Sequence, residues 1–296
     1  MTTTTARPSS NPVPTPAELL DIALASADRA ADYLRALDRD HLAREYKTSS
    51  HDIVTEHDRK SEEIIVSELR RLLPTCRIVG EEGGERPAEG PSVGSDGPVV
   101  SFYVDPIDGT SNFAAGLPLF CISIGVAVDD ELVAGVIDAP ILGSVFAAAD
   151  GPALHNGTPI EPRCTRAPAD ALILSGAAGH RMSKQFPELS GRMNRQMHTA
   201  FSAVRHLGSA ALELAYVAAG WADATALTTI NSWDIAAGFH ILQRAGGSVR
   251  TWPGRDGDAS LPAFLQPAYV ACSGPERLEL LDELFDDLQE ARDADR

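Results

Sequence analysis

Val104-Asp105-Pro106-Ile107-Asp108-Gly109-Thr110-Ser111-Asn112-Phe113 is the stretch that decides how this 296-residue chain is read. The Ser101-Phe102-Tyr103-Val104 run has the aromatic and β-branched character of a strand entering the motif. Pro106 has no amide hydrogen for a sheet ladder, so the strand is expected to stop there and the chain to turn. Asp105 and Asp108 then project from one sharp turn into a small volume. Two carboxylates held that close repel, unless a divalent cation or a shared proton neutralises them. Oxygen ligands of this kind suit magnesium, calcium or manganese better than zinc. Gly109 lets backbone approach a ligand closely, and Thr110 adds a hydroxyl. For these ten residues alone, an Asp- and Gly-rich surface turn is the plain alternative.

Two further segments repeat the pattern. Ile78-Val79-Gly80-Glu81-Glu82-Gly83-Gly84 is a short apolar strand ending in carboxylates and glycines. Asn231-Ser232-Trp233-Asp234 precedes Ile235 to Leu242, which has helical apolar spacing, and places Asp234 near a helix start. Taken alone, Asp234 reads as a capping residue. Three acidic segments, each at the edge of a regular element, make the arrangement a two- or three-metal site needs.

With Asp52-Ile53-Val54-Thr55 and Asp58 added, and with Ala245-Gly246-Gly247 closing the Trp233-Asp234 segment, the chain resembles the inositol monophosphatase family from about Lys47 to Gly247. Leu154 to Ile160 resembles a hairpin of that family. The resemblance implies a layered αβαβα sandwich and magnesium-dependent hydrolysis of a small phosphate monoester, with two or three Mg2+ per site. It assigns Glu81, Asp105, Asp108, Asp234 and the carbonyl of Ile107 to the metals. Thr110 and Asp58 match the pair that positions and activates water. The amides of Gly109 and Thr110 match a phosphate cradle at a helix start. Gly208, Ser209 and Ala210 match a segment bordering the substrate. Lithium sensitivity and a homodimer are further family expectations.

Substrates within the family include phosphates of inositol and histidinol, fructose 1,6-bisphosphate and 3′-phosphoadenosine nucleotides. Many classical members carry a Glu, seven residues before the Trp-Asp aspartate, that contacts sugar hydroxyls. Here that position is Leu227, which cannot accept those hydrogen bonds, so inositol 1-phosphate itself is in doubt. A non-catalytic, metal-stabilised regulator on the same fold is the alternative class. The retained carboxylates weigh against it.

Composition is consistent with this reading. The formal net charge of −17, from 42 acidic and 25 basic residues, argues against nonspecific nucleic-acid binding. Bound cations would have to supply positive potential for an anionic substrate. The four cysteines are scattered with no C-x-x-C pair, which argues against zinc or redox motifs, and Cys76 and Cys121 read as core residues. Met1 to Thr15 lacks a leader-like apolar stretch, and no segment approaches the roughly 20 apolar residues of a membrane helix, so the cytosol is the expected location.

In outline, residues 1–15 read as a disordered tail and 16–296 as one catalytic domain, with lobes of about 16–160 and 161–296. Helices are expected from Pro16 to about Arg44, from His57 to Leu73 and from Ser209 to Ala219. Hairpin strands are expected from Phe120 to Val128 and Leu132 to Asp138 around Asp129-Asp130, with another strand near Val145. Gly83 to Pro98 reads as a mobile loop, and Asp282 to Asp295 as a solvated acidic helix. Strands mixed with long helices predict a layered α/β or α+β body. Lys47 reads equally as a partner of phosphate or a metal-bound water and as a solvated lysine. His51, His57 and Asp52 are read as surface or supporting groups, His155 as structural, and Trp221 and Trp252 as packing residues. Arg205 and His206 are candidates for contact with substrate or a subunit.

Overall fold

Thr15 starts the first helix, α1 (Pro16–Arg35): its backbone amide donates to the Glu18 carboxylate at 2.8 Å and its hydroxyl accepts from the Glu18 amide at 3.3 Å. Pro16 fits at the first helical position, where its missing donor costs nothing. In this computed structural model the described residues are 13–38, 45–46, 53–54, 56–88, 97–255 and 257–295. The first helix ends at Arg35, short of the expected Arg44, and residues 39–44 lie outside the described residues. Helix α2 (Glu56–Leu72) packs beside it, and Leu19, Ala23, Leu34, Ile65 and Leu69 are buried against the sheet below.

That sheet has eight strands. After a separate pair, β1 (Glu45–Tyr46) with β2 (Ile53–Val54), come β3 (Arg77–Gly80), β4 (Gly84–Arg86), β5 (Val100–Asp108), β6 (Cys121–Val128), β7 (Glu131–Ala139), β8 (Ser144–Ala148), β9 (Leu154–His155) and β10 (Thr158–Pro159). Their spatial order is β10-β9-β8-β7-β6-β5-β3-β4, antiparallel except for β3 beside β5. Asp129 and Asp130 both take left-handed backbone, φ 50° and 64°, as a two-residue hairpin turn requires. The expected loop after Gly83 instead begins with strand β4, because Gly84 turns at φ 64° and lets Arg86 pair back on Ile78. Residues 89–96 of that segment lie outside the described residues.

Pro106 does not end its strand. β5 runs on to Asp108 through a register shift between the pairs Asp105↔Ser123 and Asp108↔Cys121. A proline inside such a bulge leaves no ladder bond unmade. Helix α3 (Thr110–Ala114) follows directly.

The second sheet comprises β11 (Leu172–Ser175), β12 (Ala203–Arg205), β13 (Ala224–Leu227), β14 (Ser248–Trp252) and β15 (Ala268–Cys272), in the order β12-β11-β13-β15-β14. Between the sheets lie α6 (Ala210–Ala218) and α7 (Ser232–Arg244), apolar on nearly all sides as a doubly covered helix must be. Gly125 and Gly135 let α7 lie close on β6 and β7: a Cβ at Gly125 would stand 2.5 Å from that of Ala236. Helices α4 (His180–Gln185), α5 (Pro187–Ala200) and α8 (Glu279–Ala294) cover the far side. The layers therefore read αβαβα, as the resemblance implied.

Helix α8 is not a solvated tail. Leu281, Leu284, Phe285 and Leu288, spaced three and four apart within the acidic run, bury one stripe against β14 and β15. Trp252 is buried against Phe285, whereas Trp221 is 47% exposed at the edge of a cluster with Phe146, His155 and Tyr216. His155 stacks on Phe146 at 4.6 Å. Among the described residues Cys76, Cys121 and Cys272 are buried and Cys164 is exposed, all as free thiols. No described helix is long and apolar enough to cross a membrane.

Candidate active site

The bulge of β5 aims two carboxylates at one point. The Ile107 amide donates to Asp105 Oδ1 at 3.0 Å, which ties the first carboxylate back onto its own turn. Asp108 meets the start of α6: Ser209 Oγ donates to it at 2.6 Å, and the amides of Ala211 and Ala210 at 2.7 and 3.2 Å. A helix N-terminus is a natural seat for such a charge. The Cys121 thiol lies 3.8 Å from the same carboxylate. Asp234, the third residue of α7, accepts the Asn231 amide at 2.9 Å, so its capping role is real. It also faces the other two: oxygens of Asp105, Asp108 and Asp234 all lie within 4.8 Å of one another.

Burial sets the electrostatics. It pushes Asp105 well above the usual carboxylate range, with the charge of Glu81 the next contributor and those of Asp108 and Asp234 following. Burial also raises Asp234, to about 7. Asp108 is raised by burial too, against the pull of the Ser209, Ala211 and Ala210 donors. Three mutually repelling carboxylates, Asp105 and Asp108 buried and Asp234 partly so, offer only oxygen donors and fit a hard divalent cation, whose charge would offset both the desolvation and the repulsion.

Beside the cluster, Thr110 Oγ1 donates to Asp58 Oδ1 at 3.0 Å, with the Ile107 carbonyl 3.1 Å away. Asp58 is fully buried on α2, far from its neighbour in sequence but next to it in space. Gly109 adopts φ 96°, and a Cβ there would stand 2.9 Å from the Leu119 carbonyl oxygen. Gly208, at φ 77°, makes the opposing turn before Ser209. Asn112 Nδ2 links the two turns by donating to the carbonyls of Leu119 and Leu207 at 2.7 and 2.8 Å.

The structure thus gathers Asp58, Asp105, Ile107, Asp108, Gly109, Thr110, Gly208, Ser209, Ala210 and Asp234 around one place, with Glu81 acting on Asp105 from the turn after β3. Ser209 and Ala210, expected to border substrate, spend their donors on Asp108. Leu227 ends β13, partly buried against the middle core. His57 accepts or donates a 2.7 Å bond with the Tyr33 hydroxyl. His206 is lowered by burial, and its ring occupies the space a side chain at Gly176 would need. Lys47, His51 and Asp52 lie outside the described residues.

Three contributors carried no expectation. Ser61 donates to the Pro106 carbonyl at 3.2 Å, and Glu62 accepts the amides of Glu82 and Gly83. Glu213 accepts the Leu207 amide at 2.8 Å and the Thr225 hydroxyl at 3.1 Å, and burial raises it to about 7. Its signal was available: one carboxylate in the first turn of an otherwise apolar helix has to be buried with partners.

Comparison with known proteins agrees with the geometry. The model of the inositol monophosphatase family matches residues 15–290. A fructose-1,6-bisphosphatase/inositol-1-monophosphatase of Thermotoga maritima is 35% identical over 226 residues, covering 75% of this chain and 80% of its own. Nus factor SuhB of Pseudomonas aeruginosa is 35% identical over 240 residues, 80% of this chain and 86% of its own. The crystal structure of extragenic suppressor protein suhB from Bartonella henselae matches with a TM-score of 0.76 at 29% identity, over 90% of this chain and 98% of that one.

Proposed function

The chain belongs to the inositol monophosphatase family, and from that premise we propose that it hydrolyses a small phosphate monoester with magnesium bound at the Asp105, Asp108 and Asp234 cluster. The observation that carries this reading is the convergence of those three carboxylates, two of them buried, beside the Thr110–Asp58 pair. Glu81, Asp105, Asp108, Asp234 and the Ile107 carbonyl would hold two or three Mg2+. Bound there, the cations would neutralise the cluster, polarise the ester and lower the pKa of a water.

The chain's own groups do the rest. With its hydrogen directed to Asp58, the Thr110 oxygen turns its lone pairs outward, where it can accept a hydrogen bond from water and orient it. As the water attacks, its proton would pass to the Thr110 oxygen while the Thr110 hydrogen passes to Asp58, which ends the step protonated. The amides of Gly109 and Thr110 at the start of α3 offer donors to phosphate oxygens. Rate enhancement on this arrangement comes from positioning and charge neutralisation, with no covalent enzyme intermediate.

Leu227 directs the choice of substrate away from ligands that need a carboxylate at the end of β13, and so away from inositol 1-phosphate. Phosphate release from inositol 1-phosphate, histidinol phosphate, fructose 1,6-bisphosphate and 3′-phosphoadenosine 5′-phosphate, with and without magnesium, tests the reading. One substrate preferred in kcat/KM, only with metal, supports it. A relative named Nus factor SuhB favours a second reading, a regulator that kept the fold. Folded, metal-binding protein that releases phosphate from none of the four would favour that one.

A further inference from the structure

One face of α2 touches three segments of the site. Asp58, Ser61 and Glu62 stand at i, i+3 and i+4, which places them side by side on the helix. All three are buried, Glu62 at 1% exposure. Asp58 receives the Thr110 hydroxyl, and Ser61 donates to the carbonyl of Pro106 inside the Asp105–Asp108 bulge.

Glu62 reaches the other acidic turn. Its Oε2 accepts the Glu82 amide at 2.8 Å, and its Oε1 accepts the Gly83 amide at 2.9 Å and Arg86 Nη2 at 2.7 Å. Those two amides directly follow Glu81. The glycines around them fit the same carboxylate: a Cβ at Gly80 would stand 2.5 Å from Glu62 Oε2, and one at Gly83 2.6 Å from Oε1. Both oxygens of Glu62 are thus engaged, so it acts through its neighbours.

We propose that Glu62 is a positioning residue for the metal centre, locking the Glu81 turn against the Asp105–Asp108 bulge through the shared face of α2. The proposal rests on the reading that Glu81 and the three aspartates hold divalent cations. A carboxylate is required because each oxygen faces an N–H. Glu62→Gln keeps the shape but turns an NH2 group toward at least one of those donors. Groups that orient metal ligands typically affect metal affinity by about 10–100-fold.

The test is calorimetric titration of Mn2+ into metal-free wild type, Glu62→Gln, Arg86→Met and Asp108→Asn, with magnesium dependence of turnover as a second readout. Glu62→Gln is expected to weaken Mn2+ about tenfold or more and to raise the magnesium concentration for half-activity. Its kcat at saturating magnesium should return to within a few-fold of wild type, a split that general loosening of the fold would not produce. Arg86→Met, which leaves both amide bonds in place, should weaken Mn2+ less. Should Glu62→Gln fail to fold, Gly80→Ala presses on the same carboxylate, since the three atoms nearest a Cβ there all belong to Glu62, and should weaken Mn2+ in the same way. Wild-type Mn2+ affinity in folded Glu62→Gln or Gly80→Ala overturns the proposal while leaving the metal reading intact. A wild type that binds no Mn2+, or an Asp108→Asn that binds it undiminished, overturns both.

Discussion

Replacing Asp108 with asparagine separates chemistry from folding. In the metal-free protein three carboxylates share a space whose oxygens lie within 4.8 Å of one another. At that distance, with an effective dielectric constant near 20, each ionised pair repels by about 3 kcal/mol. Asp108→Asn removes Asp108 from two such pairs. Against that gain, Ser209, Ala210 and Ala211 all donate to Asp108, and the new NH2 group must face at least one of them, at a cost of about 2 kcal/mol. The metal-free variant should therefore be at least as stable as wild type, by up to about 4 kcal/mol or about 8 °C in Tm at roughly 2 °C per kcal/mol. Magnesium at 100 times its Kd should raise the wild-type Tm by about 5 °C, from about 2.7 kcal/mol of linkage. That shift should largely vanish in the variant, and turnover should fall about 1000-fold or more, equivalent to about 4 kcal/mol of barrier. Thermal melts with and without magnesium, beside phosphate release, measure all three. Wild-type turnover, or an undiminished magnesium shift, would refute the reasoning.

Thr110→Val keeps the shape and removes the hydroxyl that donates to Asp58, so kcat should fall about 100- to 10,000-fold with KM for substrate nearly unchanged; a steady-state profile with kcat intact would contradict the role. Gly109→Ala places a Cβ 2.9 Å from the Leu119 carbonyl in left-handed backbone, and should lower Tm by about 4 °C or more, for about 2 kcal/mol; an unchanged melt would show that the turn is less constrained than its geometry states. Glu213 is raised by burial to about 7, so its favourable contribution is complete below pH 4.5 and is lost as pH rises towards and through 7. By pH 8 the penalty is about 3 kcal/mol. The Tm of Glu213→Gln relative to wild type should therefore increase from pH 5 to pH 8, both with magnesium present, and a difference independent of pH would count against it.

The acidic cluster was legible because its chemistry is local. Asp105 and Asp108 sit in one turn, and Asp234 precedes an apolar periodicity that needs no partner to be recognised. Its context was not legible. Pro106 looked like the end of a strand, because a bulge is defined by the neighbouring strand, and β6 supplies the register shift. Ser61 and Glu62 looked like the polar side of an amphipathic helix; only the docking of α2 turns that side onto two loops 20 and 45 residues away. Asp282 to Asp295 read as solvated because its charges outnumber its leucines, yet Leu284, Phe285 and Leu288 suffice to seat the helix. Ser209 and Ala210 were located by resemblance, and their engagement with Asp108 emerged only from the geometry of the α6 N-terminus.

The five layers also rank the parts of the site by how easily they come loose. Helices α6 and α7, which cap Asp108 and carry Asp234, are gripped by a sheet on either side. Helix α2, which brings Asp58, has a sheet beneath it and, among the described residues, no layer above. Opening of a covering helix exposes less apolar surface than extraction of a central one, so it needs less free energy and happens more often. Warming should accordingly detach α2 first, and with it both the Thr110–Asp58 contact and the hold of Glu62 on the Glu81 turn, while the seats of Asp108 and Asp234 stay formed.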